Sequence, residues 1–277
     1  MPQKLFRFVS FDPHRSSGIP DTRYIKPEMM YQERQLLQDA DYILFPEYWQ
    51  LNALCYGLKK PVFPNLPTFL MGHDKIEMTR AFWMVRPDAT PETRILSNTP
   101  VHAEEILDTF YFPFVAKEVR NAQGYGVHLI QNFDDWEQYC GRNDVLYVQE
   151  YLPIKRDMRI VWIGDRIVTA YWREARKGCF HNNVSQGGVI RFGNIPQGAL
   201  DLVEDVARRL EINHAGFDVA DVDGFYYLLE FNPRFGLEGV LRQNIELGPI
   251  ILDYIIRSSS PKSPPKSPPL TPKEVAA

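Results

Sequence analysis

The chain has 277 residues, of which 44% are hydrophobic and 13% aromatic, so it can bury a sizeable core and has room for more than one lobe. Its net charge of -4 argues against broad nucleic-acid binding, and it lacks the run of ~18 apolar residues that a membrane helix needs. The widely spaced cysteines, Cys55, Cys140 and Cys179, are typical of free thiols in a reducing compartment. We therefore expect a soluble cytoplasmic protein that binds neither nucleic acid nor membrane.

The first part of the chain alternates between short apolar runs and segments that suit helices. Residues 4–11, 41–46 and 61–64 have the composition of buried strands, and residues 28–38 and 49–58 are compatible with helices. This alternation predicts a small parallel α/β lobe over residues 1–72.

Two further lobes and a tail follow. A helix over residues 73–85, a strand over 114–119, a helix over 133–140 and a strand over 146–152 indicate a central lobe at 73–147. A hairpin turning at Gly164-Asp165 and an amphipathic helix over 200–210 begin a C-terminal lobe at 148–257. Residues 258–277 are rich in Pro, Ser and Lys, which predicts a disordered tail. The fold class is α/β, with α+β lobes.

An acidic hairpin near the end of the C-terminal lobe carries the clearest chemical signal. Asp218 lies in the run from His214 to Val219, and Glu230 and Asn232 alternate with apolar residues in the next run. A three-residue loop would place Asp218 opposite Leu228, on the same face as Glu230 and Asn232. Such hard oxygen ligands suit magnesium held together with phosphates, although an exposed polar strand end is the alternative. Asp221 and Asp223 are better explained as turn residues.

Two other segments have residue patterns that suit nucleotide binding. Lys117 ends an apolar strand and precedes a loop with Gly124 and Gly126, a pattern that favours phosphate binding, although such loops are often plain turns. The strand end at Gln149, Glu150, Tyr151 and Leu152 could present backbone groups to an adenine edge, or could be an ordinary strand end.

These segments occur in an order that resembles the ATP-grasp superfamily, and within it the RimK-type glutamate ligases. The resemblance runs from His73 to Arg257, and it rests on the following motifs: Asp74-Lys75, Val115 to Lys117, Gln123 to Val127, Val148 to Leu152, Asp157 to Arg159, Gly187-Gly188, Ala215 to Asp218, and Glu230 to Asn232. It implies an ATP-grasp fold in which two lobes enclose ATP behind a short N-terminal α/β lobe.

The resemblance also implies residue roles, with ATP and Mg²⁺ (or Mn²⁺) as the bound species. ATP would be bound by Lys117, Gln123, Gly124, Gly126, Gln149, Glu150, Tyr151, Leu152, Asp157 and Asn183. Within this set Lys117 would hold phosphates and Asp157 the ribose. Asp218, Glu230 and Asn232 would hold the metal. Arg173 and Arg234 are candidates for binding a carboxylate or stabilising transferred charge, with a surface salt bridge as the alternative for each.

The implied activity is an ATP-dependent carboxylate–amine ligase that forms an acyl phosphate. Its substrates would be a small carboxylate and an amine, either of which could belong to a peptide or protein terminus, and an oligomer is compatible with the sequence. The alternatives are a nucleotide-binding regulatory protein without ligase activity, and an ATP-grasp kinase or carboxylase. The sequence departs from similar glutamate ligases at His181-Asn182, where they have Arg-Ser, and at Asn232-Pro233-Arg234, which is closer to the carboxylase branches.

Overall fold

Three β-sheets organise the part of the chain that the computed structural model describes, which comprises residues 6–119, 126–174 and 188–259. Gln123, Gly124 and Asn183 lie outside these residues, as does the tail from residue 260. No helix of the described ranges is long and apolar enough to cross a bilayer.

The first sheet confirms the small parallel unit. It consists of β1 (Phe8–Ser10), β2 (Thr22–Tyr24), β3 (Tyr42–Leu44) and β4 (Val62–Phe63) in the order β2-β1-β3-β4, with parallel pairing throughout. Strand β2 was not predicted. The segment predicted as one helix over 28–38 is a 3-10 turn at Pro27–Met29 followed by α1 (Arg34–Asp39). The helix predicted over 49–58 is a 3-10 turn at Tyr48–Gln50 and a π-helix at Asn52–Gly57.

The second sheet is antiparallel and forms the central lobe. Its strands are β5 (Thr93–Ser97), β6 (Phe114–Lys117), β7 (Val127–Ile130) and β8 (Val145–Glu150), in the order β5-β8-β6-β7. Helices α4 (Pro100–Thr109) and α5 (Phe133–Cys140) cover it through a core that includes Ile106 and Trp136. The bounds of α5 are those predicted, whereas β5, β7 and α4 were not predicted.

The third sheet is also antiparallel and carries the acidic hairpin. Its strands are β9 (Arg156–Ile163), β10 (Arg166–Glu174), β11 (Val189–Arg191), β12 (His214–Val222) and β13 (Phe225–Asn232), in the order β11-β10-β9-β12-β13. Helix α6 (Gln197–Arg209) packs on it, as does α3 (Lys75–Val85) through Met78 and Phe82. Helix α3 therefore belongs to the core of the C-terminal sheet rather than to the central lobe where it was expected.

The remaining helices fix the lobes against one another. Helix α2 (Leu66–His73) leads into α3, and Gly72 is required there because a Cβ atom would lie 2.2 Å from Cγ of Pro233. After the short α7 (Glu238–Leu241), α8 (Leu247–Ser259) buries Ile251 and Ile255 in a core shared with the first sheet. The lobe boundaries stay a prediction, and the one at 147/148 falls inside β8.

Candidate functional site

The acidic hairpin is closed by a shorter turn than the predicted three-residue loop. Val222 pairs with Phe225, and the turn residues Asp223 and Gly224 have φ angles of 52° and 86°, as a type I′ turn requires. The N–H group of Gly224 donates to Oδ1 of Asp221 (2.9 Å), which agrees with a turn role for Asp221.

A shift in strand register then sets the positions of the candidate ligands. A two-residue turn alone would place Asp218 opposite Leu229 and turn Glu230 to the other face. A register shift between Asp218 and Val219 instead pairs Asp218 with Glu230, and Gly216 with Asn232. The predicted pairing of Asp218 with Leu228 is therefore wrong, whereas the shared face of Asp218, Glu230 and Asn232 follows from the observed register.

Asp218 lies in a buried network of ion pairs. Nη2 of Arg159 lies 3.2 Å, and Nη2 of Arg173 2.9 Å, from Oδ2 of Asp218. Arg173 also binds both oxygens of Asp157, at 2.7 and 2.8 Å. Burial acts to raise the pKa of Asp218, but the charges and hydrogen bonds of Arg159 and Arg173 outweigh it and hold that pKa below its ordinary value.

Cross-strand pairing explains why these four side chains meet. Arg159 on β9 is opposite Asp218 on β12, and Asp157 is opposite Arg173 on β10. The guanidinium of Arg159 lies against Gly216, where a Cβ atom would be 2.9 Å from its Cδ and Nη1 atoms. The sequence interpretation included Arg159 in a motif but gave it no role, although its two-residue spacing from Asp157 places both on one face of β9.

Lys117 and Lys75 face the hairpin from two other elements. Lys117 ends β6 with 7% exposure, and burial lowers its pKa to about 8, although Glu230 acts in the opposite direction. Lys75 begins α3, and burial likewise lowers its pKa, which Glu230 acts to raise. The sequence interpretation gave Lys75 no role, although it shares the buried face of α3 with Met78, Thr79 and Phe82.

The chemistry of the predicted donor set fits a hard divalent cation. Glu230 and Asn232 offer carboxylate and amide oxygens beside the two lysines, which could bind phosphate oxygens near such an ion. Asp218 would be shared with the guanidinium groups of Arg159 and Arg173. Nowhere in the described ranges do three or more Asp, Glu, His or Cys side chains group closely enough to hold a metal ion.

At the end of β8, Gln149 and Glu150 already form hydrogen bonds with other residues of the protein. The amide of Gln149 donates to Oγ1 of Thr93 (2.9 Å), while the N–H group of Glu150 donates to the carbonyl of Glu92 (2.9 Å). The carboxylate of Glu150 accepts from the N–H group of Glu92 (2.7 Å). Tyr151 and Leu152 lie beyond the strand. Adenine contacts by these four residues, and a phosphate contact by Gly126, stay predictions.

The structure gives both candidate arginines, and Asp157, protein partners. Arg173 is buried in the Asp157–Asp218 network, so its alternative reading as a surface salt bridge is wrong. Arg234 faces the N-terminal lobe, with Nη1 2.8 Å from Oε1 of Glu47. Both carboxylate oxygens of Asp157 accept from Arg173, so a ribose would compete with that ion pair.

Comparisons with known proteins identify the family of the domain that carries these residues. The RimK-like ATP-grasp domain matches residues 74–255. A probable alpha-L-glutamate ligase of Enterobacter sp. (strain 638) is 30% identical over 156 residues, covering 54% of this chain and 52% of that protein. The ribosomal protein bS6–L-glutamate ligase of Escherichia fergusonii is 27% identical over 175 residues, covering 60% of this chain and 58% of that protein.

A solved structure supports the fold over most of the chain. The D-alanine–D-alanine ligase of Bacillus anthracis complexed with ATP superposes with a TM-score of 0.67 at 14% identity, covering 91% of this chain and 97% of that one. The ATP-grasp fold is therefore shared. The chain spans about half the length of the curated relatives that it matches.

Proposed function

The chain belongs to the RimK-like ATP-grasp family, and on that premise we propose that it is an ATP-dependent carboxylate–amine ligase. The observation that carries the proposal is that the charge of Glu230 on β13 acts on the pKa of both Lys117 on β6 and Lys75 on α3. Two cations and a carboxylate from three separate elements suit a nucleoside triphosphate bound together with a divalent cation.

Different residues of this site would bind the ATP phosphates and the metal ion. Lys117 and Lys75 would balance the charge of the phosphate oxygens, and Glu230 and Asn232 would hold magnesium. The bound metal would supply further neutralisation of charge on the transferred phosphoryl group. Asp218 would hold Arg159 and Arg173 in place, because both guanidinium groups donate to its oxygens.

The proposed reaction makes a carboxylate reactive by phosphorylation. A carboxylate oxygen of the substrate attacks the γ-phosphorus of ATP, ADP leaves, and an acyl phosphate forms. The amine then attacks the acyl carbon, and inorganic phosphate leaves as the amide bond forms. The lysines stabilise the charge of the transferred group, and no protein nucleophile is required.

The substrate class follows from the relatives as an expectation. Their names specify L-glutamate and, for one of them, ribosomal protein bS6. We propose an amino acid of the glutamate type as one substrate and a peptide or protein terminus as the other. The free thiols of Cys55 and Cys140 suit the cytoplasm as the setting for this reaction.

Transfer of oxygen-18 tests the mechanism. The carboxylate oxygen that attacks the γ-phosphorus remains on phosphorus, so labelled carboxylate should pass one labelled oxygen to the released phosphate. Release of ADP should depend on adding both a carboxylate and an amine. Unlabelled phosphate from a confirmed amide-forming reaction would rule out the acyl phosphate. ATP binding without substrate-dependent ADP release would favour a regulatory nucleotide-binding protein.

A further inference from the structure

Tyr147 lies beside the ammonium group of Lys117. The register that pairs Ala116 with Val148 places Lys117 on β6 opposite Tyr147 on β8, so the two side chains share one face of the sheet. Nζ of Lys117 is 5.5 Å from the centre of the Tyr147 ring. Tyr147 is only 1% exposed, so the contact is almost completely screened from water.

Tyr147 is held at its ring hydroxyl and at its backbone. Its hydroxyl oxygen is 2.6 Å from Oγ1 of Thr79 on α3, and its N–H group donates to the hydroxyl oxygen of Tyr139 (3.3 Å). The Tyr139 hydroxyl also donates to the carbonyl of Lys117 (2.8 Å). The backbone of Lys117 and the ring beside its ammonium group are therefore held by one set of buried contacts.

The aromatic face, rather than the hydroxyl group, is the part of Tyr147 that acts on the lysine. Burial raises the pKa of Tyr147 to about 12, so the phenol keeps its proton at neutral pH. The hydroxyl is already hydrogen-bonded to Thr79. The negative face of an aromatic ring attracts a cation within about 6 Å, and this attraction is strongest where water is excluded.

We propose that Tyr147 is a positioning residue that holds the ammonium group of Lys117 for ATP phosphates through the face of its ring. The inference rests on the proposed function, because it takes Lys117 to bind phosphate. The ammonium loses much of its water shell on burial, and the ring restores part of the lost electrostatic stabilisation at a fixed place. Tyr147 itself makes no contact with substrate in this role.

Substitutions at position 147 separate the ring from the hydroxyl group. Tyr147→Phe should bind ATP within about twofold of the unmodified protein, because the ring remains, whereas Tyr147→Leu should bind it about tenfold more weakly. Turnover at saturating ATP should change much less than the KM for ATP. An equal loss in the Phe and Leu variants would assign the effect to the hydroxyl group and overturn the proposal.

Progressive fluorination tests the electrostatic part without changing the packing. Phenylalanine analogues with one to five ring fluorines at position 147 should weaken ATP binding stepwise, because fluorine withdraws charge from the ring face. The same series at the buried Phe114, whose ring neighbours are Phe110, Phe112 and Trp136, is the matched control and should leave ATP affinity unchanged. A flat response at position 147 would overturn the proposal.

Lys117→Met distinguishes failure of this inference from failure of the proposed function. If Lys117→Met binds ATP as tightly as the unmodified protein, Lys117 does not bind phosphate, and the proposed role of Tyr147 is then wrong as well. If Lys117→Met weakens ATP binding but ring fluorination does not, only the inference about Tyr147 is wrong.

Discussion

Arg15 and Arg234 join the N-terminal lobe to the segment after β13 by donating in opposite directions. Nη2 of Arg15 donates to the carbonyl of Phe235 (2.6 Å), and Nη2 of Arg234 donates to the carbonyls of Phe45 and Pro46 (both 3.1 Å). The first contact spans 220 positions of sequence and the second 189. The lobe that precedes the matched family domain is therefore tied to the segment that directly follows the strand of the candidate metal site.

We expect Arg234→Met to lower the rate of ligation by about tenfold or more while ATP affinity stays within about twofold. The guanidinium group contacts Glu47, Phe45 and Pro46 of the N-terminal lobe rather than Lys117 or Lys75, so its loss should disturb ligation more than ATP binding. Steady-state kinetics and calorimetric titration with ATP measure the two effects. Arg7→Met is the control, because Arg7 forms an exposed pair with Asp41 at 3.7 Å. Equal losses of rate and ATP affinity would contradict the prediction.

Glu230→Gln should lower turnover by about a hundredfold or more without loss of fold. The substitution removes one carboxylate from the candidate metal site, and it removes a charge that partly offsets the lowering of the pKa of Lys117 and Lys75 by burial. Phosphate release is measured over a range of magnesium concentrations, with thermal unfolding as the check on folding. Glu204→Gln, at an exposed ion pair on α6, is the control. Near-normal turnover at saturating magnesium would show that Glu230 does not hold the metal.

Local patterns predicted the elements that have strong signals of their own. The turn of the β9–β10 hairpin was predicted at Gly164-Asp165, because glycine readily adopts the φ angle of 69° that Gly164 has there. Helix α4 was missed because Ile106 is its one fully buried residue, so its apolar period is weak. The register shift at Asp218 was also missed, because the length of a hairpin turn does not reveal a bulge further along its strands.

The same limit applies to the candidate site. The residue types of Lys117, Asp218, Glu230 and Asn232 indicated their chemistry, and strand alternation indicated a shared face for Glu230 and Asn232. Asp218 was placed on that face through a loop length that the structure does not have. Their partners could not be predicted, because the pair of Asp218 with Arg159 spans 59 positions and that of Arg234 with Glu47 spans 187. Only the assembled sheets bring such groups together.

ATP affinity should fall as the pH rises through about 8, because burial lowers the pKa of Lys117 to about 8 and the neutral amine binds phosphate poorly. The stability of the ligand-free protein should respond in the opposite direction. The unfolded chain keeps this proton up to a pKa of about 10.4, so this residue makes the fold more stable as the pH rises from about 8 to 10.4. Lys117→Met should bind ATP weakly and lose both pH effects. ATP affinity is measured by titration from pH 6.5 to 9. The same pH dependence in the unmodified protein and in Lys117→Met would contradict the prediction.

Asp157→Asn should lower the free energy of unfolding by about 3–5 kcal/mol, because it leaves Arg173 buried with one ionic partner fewer. Asp88→Asn is the matched control, since Asp88 binds both Nε and Nη2 of Arg86 in a similar geometry at the surface. The control should cost about 0–1 kcal/mol. Urea denaturation of both variants at neutral pH measures the difference. Similar losses in free energy of unfolding for Asp157→Asn and Asp88→Asn would show that burial does not make the Asp157–Arg173 pair more important for stability.

His214 should make the fold sensitive to acid. Its Nδ1–H group donates to the carbonyl of Pro233 (2.8 Å), and within the described residues its buried Nε2 atom has no hydrogen-bond partner. A proton on Nε2 would be an unpaired buried charge near Arg15. Burial, with a smaller effect of Arg15, lowers the pKa of His214 to about 3.

Because the pKa of His214 in the fold lies below the value of about 6.5 in the unfolded chain, only the unfolded chain takes up this proton between the two values. Stability is therefore fully present above pH 6.5 and is lost as the pH falls toward 3. Between pH 7 and pH 5 the loss from this residue should be about 2 kcal/mol. Urea denaturation at both pH values should show that loss in the unmodified protein and in the surface control His14→Gln, and a smaller loss in His214→Gln. The same loss in all three proteins would mean that His214 does not cause the acid sensitivity.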